Sequence, residues 1–298
     1  MLALFSQSSQ DLMFPQSFNE LPQIEVLEPT AIPQRNPQKI APKLLENPDT
    51  AILAMDLDSG KVLLDKETDR PQPIASLSKL MTALIILENH ELDEIVTVPY
   101  EATIVSNSST IDVYQYEQFT IETLMEAILI PSANDAAIAL AVSHSGSEAE
   151  FVREMNRRAK ELGLDSAEFF NSTGLDLFND EGTETWGNKM SGRDVMKLTR
   201  LLRTYDFVKQ AMSKDHFYGT SVDEKFFHEK SSTNQLLNTF VNVTGGKTGF
   251  TYLAGECFVA IGKTPDGHEI LTVILGSSDR FGETKKLLSW IYDSFEWR

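Results

Sequence analysis

The sequence predicts an α+β fold built around one antiparallel sheet, and three observations carry that prediction. A strand–turn–strand pattern opens the ordered part of the chain near Ala51, helical patterns fill the middle, and strand patterns return after Ser231 ahead of one closing helix. Strands at both ends with helices between them fit a single sheet built from the two ends of the chain. No internal repeat interrupts that order.

Residues 1–45 stand apart from the rest. They hold Pro15, Pro22, Pro29, Pro33, Pro37 and Pro42, contain no glycine, and show no sustained apolar period. Such a composition reads as an extended spacer, or as a strap over the surface of a domain that runs from 46 to 298.

Each later element has a local reason. A-I-L-A-M-D-L, D-S-G-K and V-L-L-D (51–65) read as strand, tight turn and strand. The run beginning at Ser76 and continuing L-S-K-L-M-T-A-L-I-I-L-E-N-H is apolar almost all round, which predicts a buried helix. Pro71 and Pro73 stop it from extending backwards. Two more helices are expected in 120–143, broken at Pro131, and others in 148–162 and 191–203. Strands are expected at 240–243, 255–262 and 269–275, the last two joined by a T-P-D-G turn. E-T-K-K-L-L-S-W-I-Y-D-S-F closes the chain as an amphipathic helix.

Composition narrows the function. A chain of 298 residues, 41% hydrophobic and 23% charged, is that of an ordinary soluble globular protein able to bury a core. The net charge of −18 argues against nucleic acid or an anionic membrane surface as partner. The single cysteine, Cys257, excludes an internal disulfide and a cysteine-based zinc site. Its apolar surroundings mark it as a buried structural thiol. His90, His144, His216, His228 and His268 are scattered, with none at the spacing of a helical zinc pair. They read as surface or turn residues, and no metal or other cofactor is expected. No stretch approaches the roughly 18 apolar residues of a membrane span. The first residues lack the basic start and apolar core of a signal peptide, so neither an export signal nor a membrane anchor is visible in this sequence.

Three short motifs carry chemistry. Ser76 and Lys79, in S-L-S-K, are three apart and project from one face of a helix. Serine is a poor nucleophile without an adjacent base. Lysine can be that base when burial and a second cation, here expected to be Lys247, disfavour its charged form. A serine in the first helical turn can also offer its own N–H to an oxyanion. S-x-N occurs three times, at Ser17–Asn19, Ser132–Asn134 and Ser232–Asn234. Ser132 follows Pro131 between two apolar helices, which suits a rigid loop entering a cleft. Its hydroxyl can pass a proton to a leaving amine while the Asn134 amide holds a carbonyl. Ser232 is better placed to cap or turn. Lys247, Thr248 and Gly249 stand in G-G-K-T-G-F-T, where Lys247 and Thr248 can face a carboxylate and Gly249 leaves room for an extended peptide along a strand edge. A phosphate loop is excluded because G-x-x-x-x-G-K is missing and no helix follows.

Together these segments resemble the serine-type D-alanyl-D-alanine carboxypeptidases of peptidase family S11, the low-molecular-mass penicillin-binding proteins. The likeness runs from Ala51 to the last helix, through A-S-L-S-K-L-M-T-A (75–83), P-S-A-N-D-A-A (131–137), F-F-N-S-T-G-L-D (169–176), S-G-R-D (191–194), G-G-K-T-G-F-T (245–251) and A-G-E-C (254–257). The resemblance implies a β-lactamase/transpeptidase-like fold, an antiparallel sheet flanked by helices with a mostly helical subdomain. It implies an acyl-enzyme on Ser76, activation by Lys79, a second motif in Ser132 and Asn134, and substrate binding by Lys247, Thr248 and Gly249. An oxyanion hole at the N–H groups of Ser76 and Phe250 is implied as well. Peptidoglycan stem peptides would be the substrate, β-lactam antibiotics covalent inhibitors, and the location extracytoplasmic. The chain departs from many relatives in stopping soon after its last helix, and in having no arginine within S-S-T-N-Q-L-L (231–237), where relatives often hold the substrate carboxylate. The alternatives are a D,D-endopeptidase cutting crosslinks, a β-lactamase, and a silent cell-wall-binding module. A β-lactamase also needs E-x-x-x-N, and Glu168 to Asn171 is one residue short.

Overall fold

The computed structural model describes residues 30–36, 49–105, 108–182 and 185–298. Its architecture follows from where apolar residues alternate and where they run continuously. Strand β1 (Pro33–Arg35) precedes β2 (Ala51–Asp56) and β3 (Val62–Lys66), which form the predicted hairpin. β4 (Gln72–Pro73) leads into a 3-10 turn (Ala75–Ser78) and helix α1 (Lys79–Asn89). Then come β5 (Ile95–Thr97), α2 (Tyr100–Thr103), β6 (Gln118–Thr120), α3 (Ile121–Leu129), α4 (Asn134–Ser145) and α5 (Glu148–Glu161). Short strands β7 (Leu177–Phe178), β8 (Thr185–Trp186) and β9 (Lys189–Met190) precede α6 (Gly192–Leu202) and α7 (Asp206–Ser213). The hairpin β10 (His216–Thr220) and β11 (Phe227–Ser231) is followed by β12 (Val243–Thr251), β13 (Gly255–Lys263), β14 (Glu269–Ser277), α8 (Arg280–Ser294) and β15 (Phe295–Trp297).

The main sheet has the order β12-β13-β14-β2-β3 and is antiparallel throughout, so strands from the two chain ends do share one sheet. Its side chains alternate between two cores, as the period of a strand requires. Ile52, Ala54, Phe258, Ala260, Ile270 and Ile274 pack with Leu287, Leu288 and Ile291 of α8. Leu53, Val259, Ile261, Leu271 and Val273 face the larger core, which contains α1 and the helical subdomain. Helix α1 is buried from Lys79 through Ile86, which explains its lack of a polar stripe.

Helix starts follow side-chain chemistry. Thr120 caps α3, Ser147 caps α5, Ser191 caps α6 and Asp279 caps α8, each accepting from a backbone N–H three residues on. Gly146 ends α4 at φ 77, where a left-handed residue is needed.

Two expectations about elements are corrected. The strand placed at 240–243 begins only at Val243 and runs to Thr251, so Lys247, Thr248 and Gly249 lie inside it. Helix α7 and the β10–β11 hairpin stand where the sequence reading placed no elements. Within the proline-rich segment, β1 pairs with β15 in register Pro33↔Trp297 to Arg35↔Phe295. Most of residues 1–45, including Ser17 and Asn19, lie outside the described residues.

Candidate active site

The site is built where the buried helix meets the edge of the sheet. Ala75, immediately before Ser76, holds a left-handed φ of 48, and the Ser78 hydroxyl ties the turn down by donating to the Ala75 carbonyl at 2.7 Å. A non-glycine residue in that region costs roughly 1–3 kcal/mol, which the surrounding packing must hold in place. One helical turn later Lys79 has no exposed surface. Its Nζ donates to Asn134 Oδ1 at 2.6 Å and to the Thr173 carbonyl at 2.7 Å, and lies 3.1 Å from Ser76 Oγ. Burial lowers the Lys79 pKa to about 7, with the Asp135 carboxylate pulling the other way. Burial, not a neighbouring ammonium, is therefore the leading cause. The repulsion falls on Lys247, which burial, Lys79 and then Arg280 push well below its ordinary value.

The second motif enters from the loop between α3 and α4. Ser132 is a left-handed serine, φ 67, and is buried. Its hydroxyl accepts from Lys247 Nζ at 2.7 Å, and Lys247 also donates to the Thr248 carbonyl at 2.9 Å. Asn134 opens α4 and spends its carbonyl oxygen on Lys79, which leaves its amide nitrogen for any further partner. Beside it, the Asp135 carboxylate accepts from the N–H groups of Ile111, Val113 and Ala136, tying the stretch at 111–113 to the start of α4.

On β12 the side chain of Thr248 meets Thr233 hydroxyl to hydroxyl at 2.6 Å. The space beside Gly249 is filled by protein: a β-carbon there would lie 2.9 Å from the Ile74 carbonyl and 3.1 Å from Ser76 N. The glycine thus makes room for the turn bearing Ser76. Phe250, next along the strand, has a half-exposed side chain.

Ser76, Lys79, Ser132, Asn134, Lys247, Thr248 and Gly249 thus converge in one place, with Phe250 adjoining. Other candidates separate from them. Ser232 Oγ accepts from Asn234 N at 3.2 Å and only shapes a turn. Glu168 is largely exposed and faces Lys189 at 3.8 Å. It lines a cavity of about 1330 Å3 together with Arg70, Gln72, Lys189, Tyr252 and Leu253, a space that none of the predicted site residues lines. The histidines are not all peripheral: His228 is buried with Nδ1 2.7 Å from the Ile111 carbonyl, and His90 and His144 meet at 2.8 Å. Cys257 is buried and its thiol is pushed up to about 11, which makes it inert.

Three contributors were missed by the sequence reading. The Thr173 carbonyl is a backbone group and leaves no residue-type signal. Asp135 had one, an acid in the first turn of a helix. Arg280 sits at the start of α8 and sends Nη1 to the Gly249 carbonyl at 2.9 Å. The stretch 231–237 has no arginine, and α8 brings one to β12.

An antiparallel sheet flanked by helices, with a serine and a buried lysine at the head of the central helix, defines the class: this is the transpeptidase-like fold of penicillin-binding proteins. Within that class the chain belongs to the D-alanyl-D-alanine carboxypeptidase family, whose model matches residues 39–279. D-alanyl-D-alanine carboxypeptidase DacF of Bacillus subtilis is 32% identical over 264 residues, covering 85% of this chain and 64% of the relative. A D-alanyl-D-alanine endopeptidase of Pseudomonas aeruginosa is 28% identical over 268 residues, covering 88% of this chain and 83% of the relative. Penicillin-binding protein D2 of Listeria monocytogenes, solved in its ampicillin-bound form, is 30% identical with a TM-score of 0.66, covering 81% of this chain and 96% of that one. The chain spans less than two thirds of the Bacillus subtilis relative's length.

Proposed function

We propose that the protein is a serine D,D-carboxypeptidase that removes the terminal D-alanine from peptidoglycan stem pentapeptides through an acyl-enzyme on Ser76. One observation carries the reading: a buried lysine with a pKa near 7 lies 3.1 Å from the hydroxyl of a serine at the head of a helix. Neutral Lys79 takes the proton as Ser76 Oγ bonds to the substrate carbonyl carbon. The N–H groups of Ser76 and Phe250 hold the resulting oxyanion. The C–N bond then breaks, and the leaving amine receives a proton through the Ser132 hydroxyl, backed by Lys247 and ultimately supplied by Lys79. Water then cleaves the ester and returns a proton to Ser76 Oγ. Asn134, Lys247, Thr248 and Gly249 bind and align the substrate.

In this reading residues 46–298 form the catalytic domain and 1–45 the spacer or strap. The partners are stem peptides outside the cytoplasmic membrane, with β-lactams as covalent inhibitors. An ampicillin-bound relative at 30% identity supports the last point. A relative named an endopeptidase supports a second reading, cleavage of crosslinks. Two measurements test both. Penicillin should add one equivalent of mass on the peptide containing Ser76, and labelling elsewhere or none would overturn the acyl-enzyme. Digestion of muropeptides should release free D-alanine, whereas faster splitting of crosslinked dimers would make the enzyme an endopeptidase.

A further inference from the structure

The segment F-F-N-S-T-G-L-D is held more tightly than its irregular course requires. Asn171 is buried, and its Oδ1 accepts from Thr173 N at 3.2 Å, Thr173 Oγ1 at 3.0 Å and Gly174 N at 2.6 Å. Its Nδ2 donates to the Leu175 carbonyl at 2.9 Å. Asn188 clasps the same segment from outside, accepting from Phe170 N at 2.7 Å and donating to the Asn171 carbonyl at 2.9 Å. Ser172 is fixed by Glu148 below and Thr82 above. Gly174 adopts φ 86, and a β-carbon there would lie 1.9 Å from the Ala75 carbonyl, so the segment is pressed against the turn that carries Ser76. What all this presents to the site is one group, the Thr173 carbonyl on Lys79 Nζ.

That carbonyl matters because of the valence of an amine. Neutral lysine has two hydrogens and one lone pair. Asn134 Oδ1 and the Thr173 carbonyl can only accept, so they take both hydrogens. The lone pair is left for the remaining neighbour, Ser76 Oγ. If either acceptor were lost, a hydrogen could turn toward Ser76 instead.

We infer that Asn171 is a positioning residue for acylation: it holds the Thr173 carbonyl on Lys79 and so keeps the lysine's lone pair on Ser76. This rests on the reading of Lys79 as proton acceptor. The charged groups in this network are Asp135, which acts on Lys79, Lys247, which Lys79 repels, Arg280, which acts on Lys247, and Glu148, which holds Ser172. The contribution of Asn171 is separate from theirs because it carries no charge and acts through a backbone group.

The test is the pH profile of penicillin acylation for wild type, Asn171→Ala and Asn171→Asp, with melting curves alongside. Asn171→Ala should lower the alkaline plateau on the order of 10²-fold, since the reacting pair is misplaced. Its acid limb should also move to lower pH, because protonated Lys79 loses one of its three acceptors. Asn171→Asp keeps the oxygen that receives all three donors but loses the Nδ2 donor to the Leu175 carbonyl and adds a charge, so it should recover part of the plateau that Asn171→Ala loses. The inference is overturned if Asn171→Ala keeps the wild-type plateau, or loses plateau while its acid limb stays put. Should Asn171→Ala fail to fold, Asn188→Ala decides the question by the same two readings. An unlabelled wild type would instead overturn the Ser76–Lys79 reading itself.

Discussion

Lys247 Nζ donates to Ser132 Oγ at 2.7 Å, joining an edge strand to a helical loop across 115 residues of sequence. Both groups are buried, and Ser132 holds a left-handed backbone, so the contact is maintained against conformational cost. In the proposed mechanism this hydroxyl relays a proton to the amine that leaves. Ser132→Ala should leave the fold intact, judged by circular dichroism, and slow penicillin acylation by at least roughly 10²-fold, the lower end for a positioned proton donor. Acylation at the wild-type rate would mean that the amine takes its proton by another path.

In the proposed mechanism the lowering of the Lys79 pKa by burial, to about 7, sets the pH dependence of acylation. The base must be neutral to accept a proton, so acylation should rise with pH through about 7 and level off above it. Lys79→Arg keeps the charge and removes the base, because guanidinium stays protonated. That variant should show no acylation at any pH between 5 and 9, an interval of roughly two pH units on either side of the limb. A pH-independent wild type would show that Lys79 is not the proton acceptor.

Gly249 and the Ser76 turn share a contact that no side chain fits. Gly249→Ala would put its methyl group 2.9 Å from the Ile74 carbonyl, 3.1 Å from Ser76 N and 3.2 Å from Ala75 Cβ. Two of these three atoms belong to the backbone, so relief must come from moving the nucleophile or the strand. Overpacking of this kind costs about 1–3 kcal/mol. The variant should lose melting temperature and acylation rate together. A loss of rate with unchanged melting would show that the strand yields and that Gly249 is needed instead for substrate access.

Much of this architecture was legible in the sequence because one periodicity dominates each segment. Ala51–Asp56 and Gly255–Lys263 read as strands, and the continuous apolar run of α1 could only be buried. The three motifs could be grouped because serine, lysine and asparagine in those spacings have few other joint uses. The remainder depends on contacts that residue types do not encode. The alternation in His216–Thr220 is weak because its inward positions are Phe217 and Gly219, only one of them bulky. Three residues at Pro33–Arg35 form a strand only because Phe295–Trp297 offers an edge. Ala75 and Ser132 adopt left-handed angles through tertiary packing, against their own preference. The His228 ring is buried because the Ile111 carbonyl and the Glu117 carboxylate, more than 100 residues away in sequence, close over it.

The strap should contribute to stability and not to chemistry. Ile32 N donates to the Arg298 carbonyl at 3.0 Å, Asn36 N to the Ser294 carbonyl at 2.8 Å, and Lys61 Nζ to the Pro33 carbonyl at 2.6 Å. Arg35 lies over the Trp290 ring at 5.5 Å. All of these contacts gather near the C-terminal end of α8, whereas Arg280, at its start, touches Gly249. A helix of 15 residues is about 22 Å long, so the strap and the site lie at opposite ends of it. Deleting residues 1–36 should remove roughly 1–3 kcal/mol, given about 1 kcal/mol per net hydrogen bond. That corresponds to a melting shift of about 2–4 °C per kcal/mol. Acylation should be unchanged, and a slowed reaction would show that the strap reaches the site.

Arg280 brings a guanidinium to β12, which the stretch 231–237 lacks. Its guanidinium is partly buried, which pulls its pKa down, and Glu256 opposes that shift. Nη1 is committed to the Gly249 carbonyl, whereas Nε is buried without a hydrogen-bond partner. Its charge is felt at Lys247, so it adds to the positive potential beside Thr248, where a substrate carboxylate would rest. Arg280→Gln removes the charge and, being shorter, also the Nη1 contact with the Gly249 carbonyl, so the two effects are separated by the choice of peptide. A partly screened unit charge several ångströms away is worth roughly 1–2 kcal/mol, which is about a tenfold change in binding. KM for a peptide ending in free D-alanyl-D-alanine should therefore rise about tenfold while kcat holds. The same peptide with its terminal carboxylate amidated should respond little, because it presents no charge to Arg280. Equal losses for both peptides would show that Arg280 supports the strand and takes no part in reading the carboxylate.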